Sequence, residues 1–348
     1  MGLPKNSGLN LSAKYAHGRR NLITDVEGVK IGSVTIRHGD VNTGVTAVKP
    51  HSGNLFLDKV TAGASVINGF GKSIGILQLL ELGTIETPII LTNTLSIGTA
   101  FTALTKYMLA ENPDIGVKTG TVNCIITECN DGPLNDIRGL HVEEKDIFEA
   151  LEKAGEDFEE GAVGGGTGMT CLGLKGGIGS ASRIVSLDSK EFTIGSLVMT
   201  NFGMPGNLRI GGTSYDTRKK SPADTDTPPD RDQGSCIIIL ATDLPMSSRQ
   251  LNRVAKRAAV SLGRTGSFIG NGSGDIAIAF STANRIPHYS SKSILDVKMI
   301  HDDTIDPIFE ASVEATEEAI ISSLYHAETT TGIRNTTFLG LRDFLGKK

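Results

Sequence analysis

Tryptophan is absent from this 348-residue chain, and aromatic residues make up only 5% of it. No apolar run approaches the roughly 18 residues that a membrane-spanning helix needs, and the first 20 residues lack the continuous apolar segment of a secretory signal. Positive charge is not in excess, because 34 lysines and arginines face 39 aspartates and glutamates. We therefore expect a cytoplasmic protein that binds neither nucleic acid nor membranes.

Cysteine is scarce as well, and its four copies are expected to be reduced and mostly buried thiols. The metal motifs H-E-x-x-H and C-x-x-C are missing, so the sequence predicts no metal site. The glycine-rich block at 164–179 matches neither dinucleotide- nor phosphate-binding spacing, so no cofactor is predicted. The cysteines are Cys124, Cys129, Cys171 and Cys236.

Glycine, in contrast, is abundant, and its 42 copies cluster at the ends of apolar runs. Short β-branched runs alternate with helical stretches, and several runs are apolar on both faces. This pattern predicts a layered α/β protein with covered sheets. The predicted strands are 29–36, 87–93, 121–128, 193–202, 235–242 and 275–282. The predicted helices are 145–154, ending at Gly155; one capped by Ser247 or Ser248 and ended by Gly263; and 308–326.

One polar segment interrupts this pattern, at residues 213–234. It contains one aromatic residue and almost no other large apolar side chain, so it cannot bury enough surface to order itself strongly. Composition alone favours a flexible exposed loop or linker. The segment ends at Gly234 and is followed at once by Ser235 and an apolar strand.

The junction of Gly234 and Ser235 has what self-cleavage requires. The Ser235 hydroxyl can attack the Gly234 carbonyl, and glycine has no Cβ to obstruct the attack. Hydrolysis of the resulting ester would free the α-amine of Ser235. Taken alone, however, Gly-Ser before a strand is also ordinary turn chemistry.

A freed α-amine would supply the base that a serine nucleophile needs. An α-amino group titrates at about 7.7–8.0, near the pH at which general bases work best. The seven histidines of the chain show no triad motif. A serine that is also an N-terminus is therefore the more economical arrangement.

A series of sequence blocks covers nearly the whole chain. These blocks include ITDVEGVKIG (23–32), NTGVTAV (42–48), ETPIILTNTLSIG (86–98), ECNDGPLNDIRG (128–139), GGGTGMTCLGLKGGIGSASR (164–183), TNFG (200–203), GSCIIILATDLP (234–245), RTGSFIGNGSGDIAIAFST (264–282) and EATEEAIISSL (314–324). In this order they resemble the DmpA/P1 aminopeptidases, which comprise L-aminopeptidase/D-Ala-esterases and β-peptidyl aminopeptidases and are distantly related to the ornithine acetyltransferases.

This resemblance implies an N-terminal-nucleophile-like, four-layer αββα sandwich formed by residues 1–348 as one domain. It also implies autoproteolysis into chains 1–234 and 235–348, and assembly into a homo-oligomer, a tetramer of processed heterodimers. The implied activity is hydrolysis of N-terminal residues from small peptides or from aminoacyl amides and esters. No cofactor is implied.

By position, the resemblance assigns the catalytic groups to four residues. Ser235 corresponds to the nucleophile, and Ser273 and Asp275 to the pair that positions the nucleophile and its amine. Asp275 is one methylene shorter than the glutamate frequent in the family. Asn201 corresponds to the oxyanion-hole donor. Outside the family context, Ser273 and Asp275 fit a polar turn before a strand, and Asn201 fits a strand-end cap.

The resemblance places the substrate's ammonium group at Glu128, at the end of an apolar strand. A substrate without a charged amino terminus would leave this carboxylate desolvated and unpaired. A solvated strand-end glutamate is the alternative. Asn130 lies two residues further on and lines the same pocket in this comparison, at a position where relatives carry tyrosine or asparagine.

Two other functions stay open at this point. An acyltransferase of the ornithine acetyltransferase type would use threonine at the cleavage point, where this chain has Ser235. A non-catalytic protein could also keep the fold. The sequence does not distinguish α-peptide, β-peptide and D-amino-acid substrates.

Overall fold

A computed structural model describes residues 3, 9, 11, 13–218, 232 and 234–346 of the chain. The predicted polar linker at 213–234 therefore lies mostly outside the described residues. Its first residues, Thr213–Tyr215, form a short strand. The peptide bond between Gly234 and Ser235 is intact, so the described state is the uncut chain.

Sixteen strands are present in the described residues, and each predicted strand has a counterpart. The predicted and observed bounds are the same for the strand at 235–242, and they differ by a few residues at the ends of the other strands. The strands are β1 (Lys30–His38), β2 (Val41–Lys49), β3 (Asp58–Gly69), β4 (Thr84–Ile85), β5 (Ile89–Asn93), β6 (Ile125–Cys129), β7 (Thr170–Cys171), β8 (Leu174–Lys175), β9 (Gly177–Leu187), β10 (Lys190–Asn201), β11 (Leu208–Ile210), β12 (Thr213–Tyr215), β13 (Ser235–Thr242), β14 (Gly274–Pro287), β15 (Thr330–Thr331) and β16 (Thr337–Phe338).

Two predicted helix ends are wrong. The helix capped by the Ser247 hydroxyl continues through Gly263 to Thr265, because Gly266, at a φ of +113°, provides the left-handed stop. The predicted helix at 145–154 ends at Glu152, because Gly155 pairs with Ile31 and the chain must leave the helix first. The helices are α1 (Ile76–Leu82), α2 (Ile97–Glu111), α3 (Glu144–Glu152), α4 (Ser248–Thr265), α5 (Asp306–His326) and α6 (Leu341–Phe344).

Two sheets form the centre of the molecule. The smaller has the order β1-β2-β5-β6, and the larger has the order β4-β3-β14-β13-β10-β9. Helices α2 and α3 pack on the smaller sheet, and α4 and α5 pack on the larger. The predicted four-layer αββα sandwich is confirmed by this arrangement.

Three apolar cores separate the four layers. One lies between the sheets and includes Leu91, Ile125, Ile237 and Ile276. A second lies under α4 and α5, and a third under α2 and α3. Because both sheets are covered on each face, β13 is buried along its whole length, which explains its uninterrupted apolar sequence.

All four cysteines are free and buried, as predicted. Burial raises the pKa of the Cys124 thiol to about 11 and that of Cys171 to about 12. These thiols are therefore protonated near neutral pH and act as small apolar side chains. Among the helices that the structure describes, none combines the length and apolar character needed to cross a membrane.

Candidate active site

The candidate site lies at the N-terminal end of β13, which is an interior strand of the larger sheet. Ser235 is the first residue of β13 and pairs with Gly274 in the parallel strand β14. On its other side, Ser235 pairs with Asn201, the last residue of the antiparallel strand β10. Strand register therefore places three sequence-predicted regions side by side, although they are separated by more than 30 residues along the chain.

The Ser235 hydroxyl lies against the carbonyl group that it would attack. Its Oγ donates a hydrogen bond to the Gly234 carbonyl oxygen at 2.8 Å. The Gly274 N–H donates to both groups, at 3.1 Å to the Gly234 oxygen and at 3.3 Å to Ser235 Oγ. The scissile carbonyl is thus already polarised by a backbone donor that would stabilise an oxyanion there.

Gly234 fits this place because it has no side chain. A Cβ added to Gly234 would lie 2.4 Å from both the carbonyl oxygen of Asn201 and the Cα of Phe202. Both obstacles are backbone atoms and cannot rotate away. The close approach of β10, rather than a positive φ, is therefore what requires glycine before Ser235.

Ser273 and Asp275 flank Gly274 and are completely buried. Neither Ser273 Oγ nor either carboxylate oxygen of Asp275 has a partner with hydrogen-bond geometry. Burial raises the pKa of Asp275 to about 6; the Ser273 hydroxyl and the Cys236 N–H lower this pKa, and the nearby Asp232 carboxylate raises it. Buried polar atoms of this kind are costly unless a partner arrives in another state of the protein.

The raised pKa of Asp275 predicts that ionisation of this residue destabilises the uncut chain. The pKa of the carboxyl in the folded chain exceeds its value near 3.9 in an unfolded chain, so stability falls as the pH rises from about 4 to about 6. We expect the unfolding free energy of Ser235→Ala to fall by about 2–3 kcal/mol across this window relative to Ser235→Ala/Asp275→Asn. Denaturant titrations at several pH values measure the difference, and parallel curves for the two variants would contradict it.

Asn201 is 5% exposed, and both the oxygen and the nitrogen of its side-chain amide are hydrogen-bonded. The side-chain oxygen accepts the Thr170 N–H at 3.0 Å, and the side-chain nitrogen donates to the Asn130 carbonyl oxygen at 3.0 Å. The Asn130 bond uses one of the two N–H groups of the Asn201 amide, and Asn201 itself pairs with Ser235 across the sheet. The Asn130 side chain is exposed, and its oxygen accepts the Gly132 N–H at 3.0 Å.

Glu128 is buried near the C-terminal end of β6. Its carboxylate accepts the Lys72 N–H at 2.8 Å and a short hydrogen bond from the Thr94 hydroxyl. The described side chains place no lysine or arginine in an ion pair with it. A buried carboxylate with neutral donors can still accept a cationic ligand.

Gly71 connects the Glu128 carboxylate to the neighbourhood of Ser235. A Cβ at Gly71 would lie 3.2 Å from Glu128 Oε1 and 3.9 Å from the Cα of Gly274. Gly274 in turn contacts Ser235, since its own Cβ would be 2.9 Å from Ser235 Oγ. The Glu128 carboxylate and the Ser235 hydroxyl therefore lie near each other, with the backbone of Gly71 and Gly274 between them.

Three residues of this region were not predicted from the sequence. Asp232 lies within the segment that composition marks as linker, and its carboxylate accepts backbone N–H groups of the site. Asn68, in β3, donates its amide to the carbonyl oxygens of Gly270 and Ser273 and so holds the turn before β14. Thr94 reaches Glu128 from the turn after β5. A polar residue close to a cleavage point was the available signal for Asp232; Asn68 and Thr94 gave none.

In the part of the chain that the structure describes, no three histidine, cysteine, aspartate or glutamate side chains converge as the ligands of one metal ion would. The site chemistry instead combines a hydroxyl, carboxylates, an amide and backbone donors. These groups suit acyl transfer through a serine nucleophile.

Known proteins resemble this chain over most of its length. Residues 21–338 match peptidase family S58. The β-peptidyl aminopeptidase BapA of Sphingosinicella microcystinivorans is 39% identical over 96% of this chain and 88% of its own. The L-aminopeptidase D-Ala-esterase/amidase of Ochrobactrum anthropi, described as a prototype of the serine aminopeptidases with a variant of the Ntn-hydrolase fold, superposes with a TM-score of 0.86. It is 35% identical, and the match covers 97% of both chains.

A protein of Pyrococcus horikoshii OT3 is more similar still. Its crystal structure superposes with a TM-score of 0.90 at 51% identity over 98% of both chains. The resemblance to the DmpA/P1 aminopeptidases is therefore confirmed over nearly the full length. The chain belongs to peptidase family S58 and is a hydrolase of the aminopeptidase type with an N-terminal-nucleophile fold.

Proposed function

We propose that this aminopeptidase matures by cutting its own chain between Gly234 and Ser235, and that Ser235 then serves as nucleophile with its freed α-amine as general base. The observation that carries the proposal is the 2.8 Å contact between Ser235 Oγ and the Gly234 carbonyl oxygen, with the Gly274 N–H bound to both. A nucleophile and an oxyanion donor thus already face the scissile bond.

Self-cleavage proceeds in two steps. Ser235 Oγ forms a bond to the Gly234 carbonyl carbon, the C–N bond breaks, and the hydroxyl proton ends on the nitrogen of Ser235. Water then attacks the ester, its oxygen stays on Gly234 as a carboxylate, and Oγ regains a proton. The products are a chain ending at Gly234 and a chain beginning with Ser235, which now carries a free amine.

Substrate hydrolysis reuses the same groups. The α-amine takes the proton of Oγ as Oγ attacks the substrate carbonyl, and the Asn201 amide donates to the developing oxyanion, a contact of about 3 kcal/mol in such sites. The protonated amine then gives its proton to the leaving nitrogen, and water releases the acyl group from Ser235. Ser273 and Asp275 offer unpaired buried acceptors for the ammonium that forms.

The substrates in this proposal are small peptides, aminoacyl amides or aminoacyl esters with a free amino terminus. Glu128 is the buried carboxylate that would pair with the substrate's ammonium group, and Asn130 lines the same pocket. The named relatives include a β-peptidyl aminopeptidase and an L-aminopeptidase with D-Ala-esterase activity. We propose the same general class of acyl donor for this chain.

We also propose that processed chains assemble into a homo-oligomer, a tetramer of heterodimers, in the cytoplasm. Helix α1 exposes Leu77 to 86%, with Leu80 and Leu82 also exposed, and Ile294 is 80% exposed. Exposed leucines clustered on one short helix, as in α1, are typical of association interfaces. The four free thiols suit a reducing compartment.

Intact mass spectrometry of the purified protein tests the maturation step. We expect two species, residues 1–234 and residues 235–348, whose masses sum to that of the full chain plus one water. Edman sequencing of the shorter species should begin Ser-Cys-Ile. A fully active preparation that consists only of the 348-residue chain would refute both self-cleavage and the role of the amine.

A further inference from the structure

The Asp232 carboxylate accepts hydrogen bonds from three separate parts of the site. Its Oδ1 accepts the N–H of Gly203 and the N–H of Gly234, each at 3.2 Å. Its Oδ2 accepts the N–H of Gly270 at 3.4 Å. The residue is only 5% exposed, although it belongs to a segment that is otherwise strongly polar.

Each of these three donors belongs to a different functional element. Gly203 follows the oxyanion-donor candidate Asn201 at the end of β10. Gly270 begins the turn that carries Ser273 into β14. Gly234 is the acyl residue of the bond that Ser235 would cut. Asp232 therefore links Gly234, through hydrogen bonds to one carboxylate, to the segment after β10 and to the turn before β14.

We propose that Asp232 is a positioning residue for self-cleavage, which holds the Gly234 peptide so that its carbonyl faces Ser235 Oγ and the Gly274 N–H. This inference rests on the proposed function, because it concerns the same cut. Asp232 does not touch the reacting atoms and takes no proton; it acts through the N–H of Gly234. Fixing a reacting group in an attack geometry is worth orders of magnitude in rate, and small displacements lose much of it.

The proposal predicts a larger defect in maturation than in the mature enzyme. We expect Asp232→Ala to convert precursor to fragments about 10- to 100-fold more slowly than the wild type, measured by intact mass over time after refolding or synthesis. Asp232→Asn keeps the oxygen that binds Gly203 and Gly234, so it should process within about threefold of the wild type. Once processed, both variants should lose a smaller factor in kcat/KM than in the rate of cleavage, because the Gly234 peptide that Asp232 positions is then no longer a reacting group.

Asp216→Ala is the matched control, since Asp216 is an exposed aspartate near the start of the same polar segment. The cleavage of Ser235→Ala is measured in the same experiment. If Ser235→Ala were cut normally, the proposed function would fail; if it stayed whole while Asp232→Ala processed at the wild-type rate, only the role of Asp232 would be refuted.

A purely structural role for Asp232 gives a different pattern. It would lower kcat/KM of the processed enzyme by the same factor as the rate of cleavage, and that result would overturn the proposal. If Asp232→Ala does not accumulate as folded protein, Asp232→Ser takes its place, because its hydroxyl is too short to bind all three donors. The Asn variant should still exceed it in cleavage rate.

Discussion

Replacement of Ser235 by alanine is expected to leave one uncut chain of 348 residues without aminopeptidase activity. The variant loses the oxygen that lies 2.8 Å from the Gly234 carbonyl oxygen, and no histidine is hydrogen-bonded to that position among the described residues. Loss of the nucleophile in serine hydrolases costs on the order of 10⁶-fold in rate. Intact mass spectrometry measures whether the chain is cut. Release of p-nitroaniline from aminoacyl-p-nitroanilides measures the aminopeptidase activity.

Two controls separate chemistry from folding in this experiment. Ser267→Ala removes another mostly buried serine, whose hydroxyl binds only within its own turn, and should be cut and active. Acylation of the freed α-amine in processed wild-type protein should abolish turnover, because the proposed mechanism uses that amine as the base. Normal processing of Ser235→Ala would refute the nucleophile assignment, and full activity after acylation would refute the role of the amine.

The start of β13 at Ser235 was predictable because its signal is local. A polar segment, a glycine and a serine at the start of an apolar strand are adjacent in the sequence, and β13 begins at the predicted residue. The predicted strands also hold because their β-branched apolar runs fit sheets that are covered on both faces. Helix ends were less predictable: Gly263 stays helical, because the left-handed stop falls at Gly266.

The assembly of the site around this junction was not predictable from local pattern. The parallel register of β13 and β14 pairs Ser235 with Gly274, which Ser273 and Asp275 flank, and the antiparallel register of β10 pairs Ser235 with Asn201. Register between strands depends on the packing of the whole sheet. Only the family resemblance suggested these residues, and it gave no hint of Asp232.

The side chains that contact the site from distant segments were also not predictable from local sequence. Asn68 binds the turn before β14 from a strand about 200 residues earlier, and Thr94 binds Glu128 from the end of β5. In sequence each is an ordinary polar residue at the end of an apolar run. Their roles follow from where the chain returns in space, which a short sequence window does not contain.

Replacement of Glu128 by alanine should separate substrate recognition from maturation. The carboxylate touches neither Gly234 nor Ser235 and is bonded to Lys72 and Thr94, so the variant should still cut itself. Removing one partner of a buried, hydrogen-bonded charge pair costs about 2–5 kcal/mol. We therefore expect kcat/KM for substrates with a free amine to fall at least about 30-fold.

The comparison that identifies the ammonium site is between substrates, within each variant. Wild type should prefer an aminoacyl-p-nitroanilide over its N-acetylated form by a large factor, whereas Glu128→Ala should lose most of this preference. Glu128→Gln keeps an oxygen for the Lys72 N–H but no charge, so it should lose the preference too. Glu81→Gln, an exposed glutamate of α1, should change nothing. If preference for the free amine survived in both Glu128 variants, the substrate's ammonium group would have to bind elsewhere, because no neutral residue at 128 could discriminate a charged from an acetylated amine by this margin.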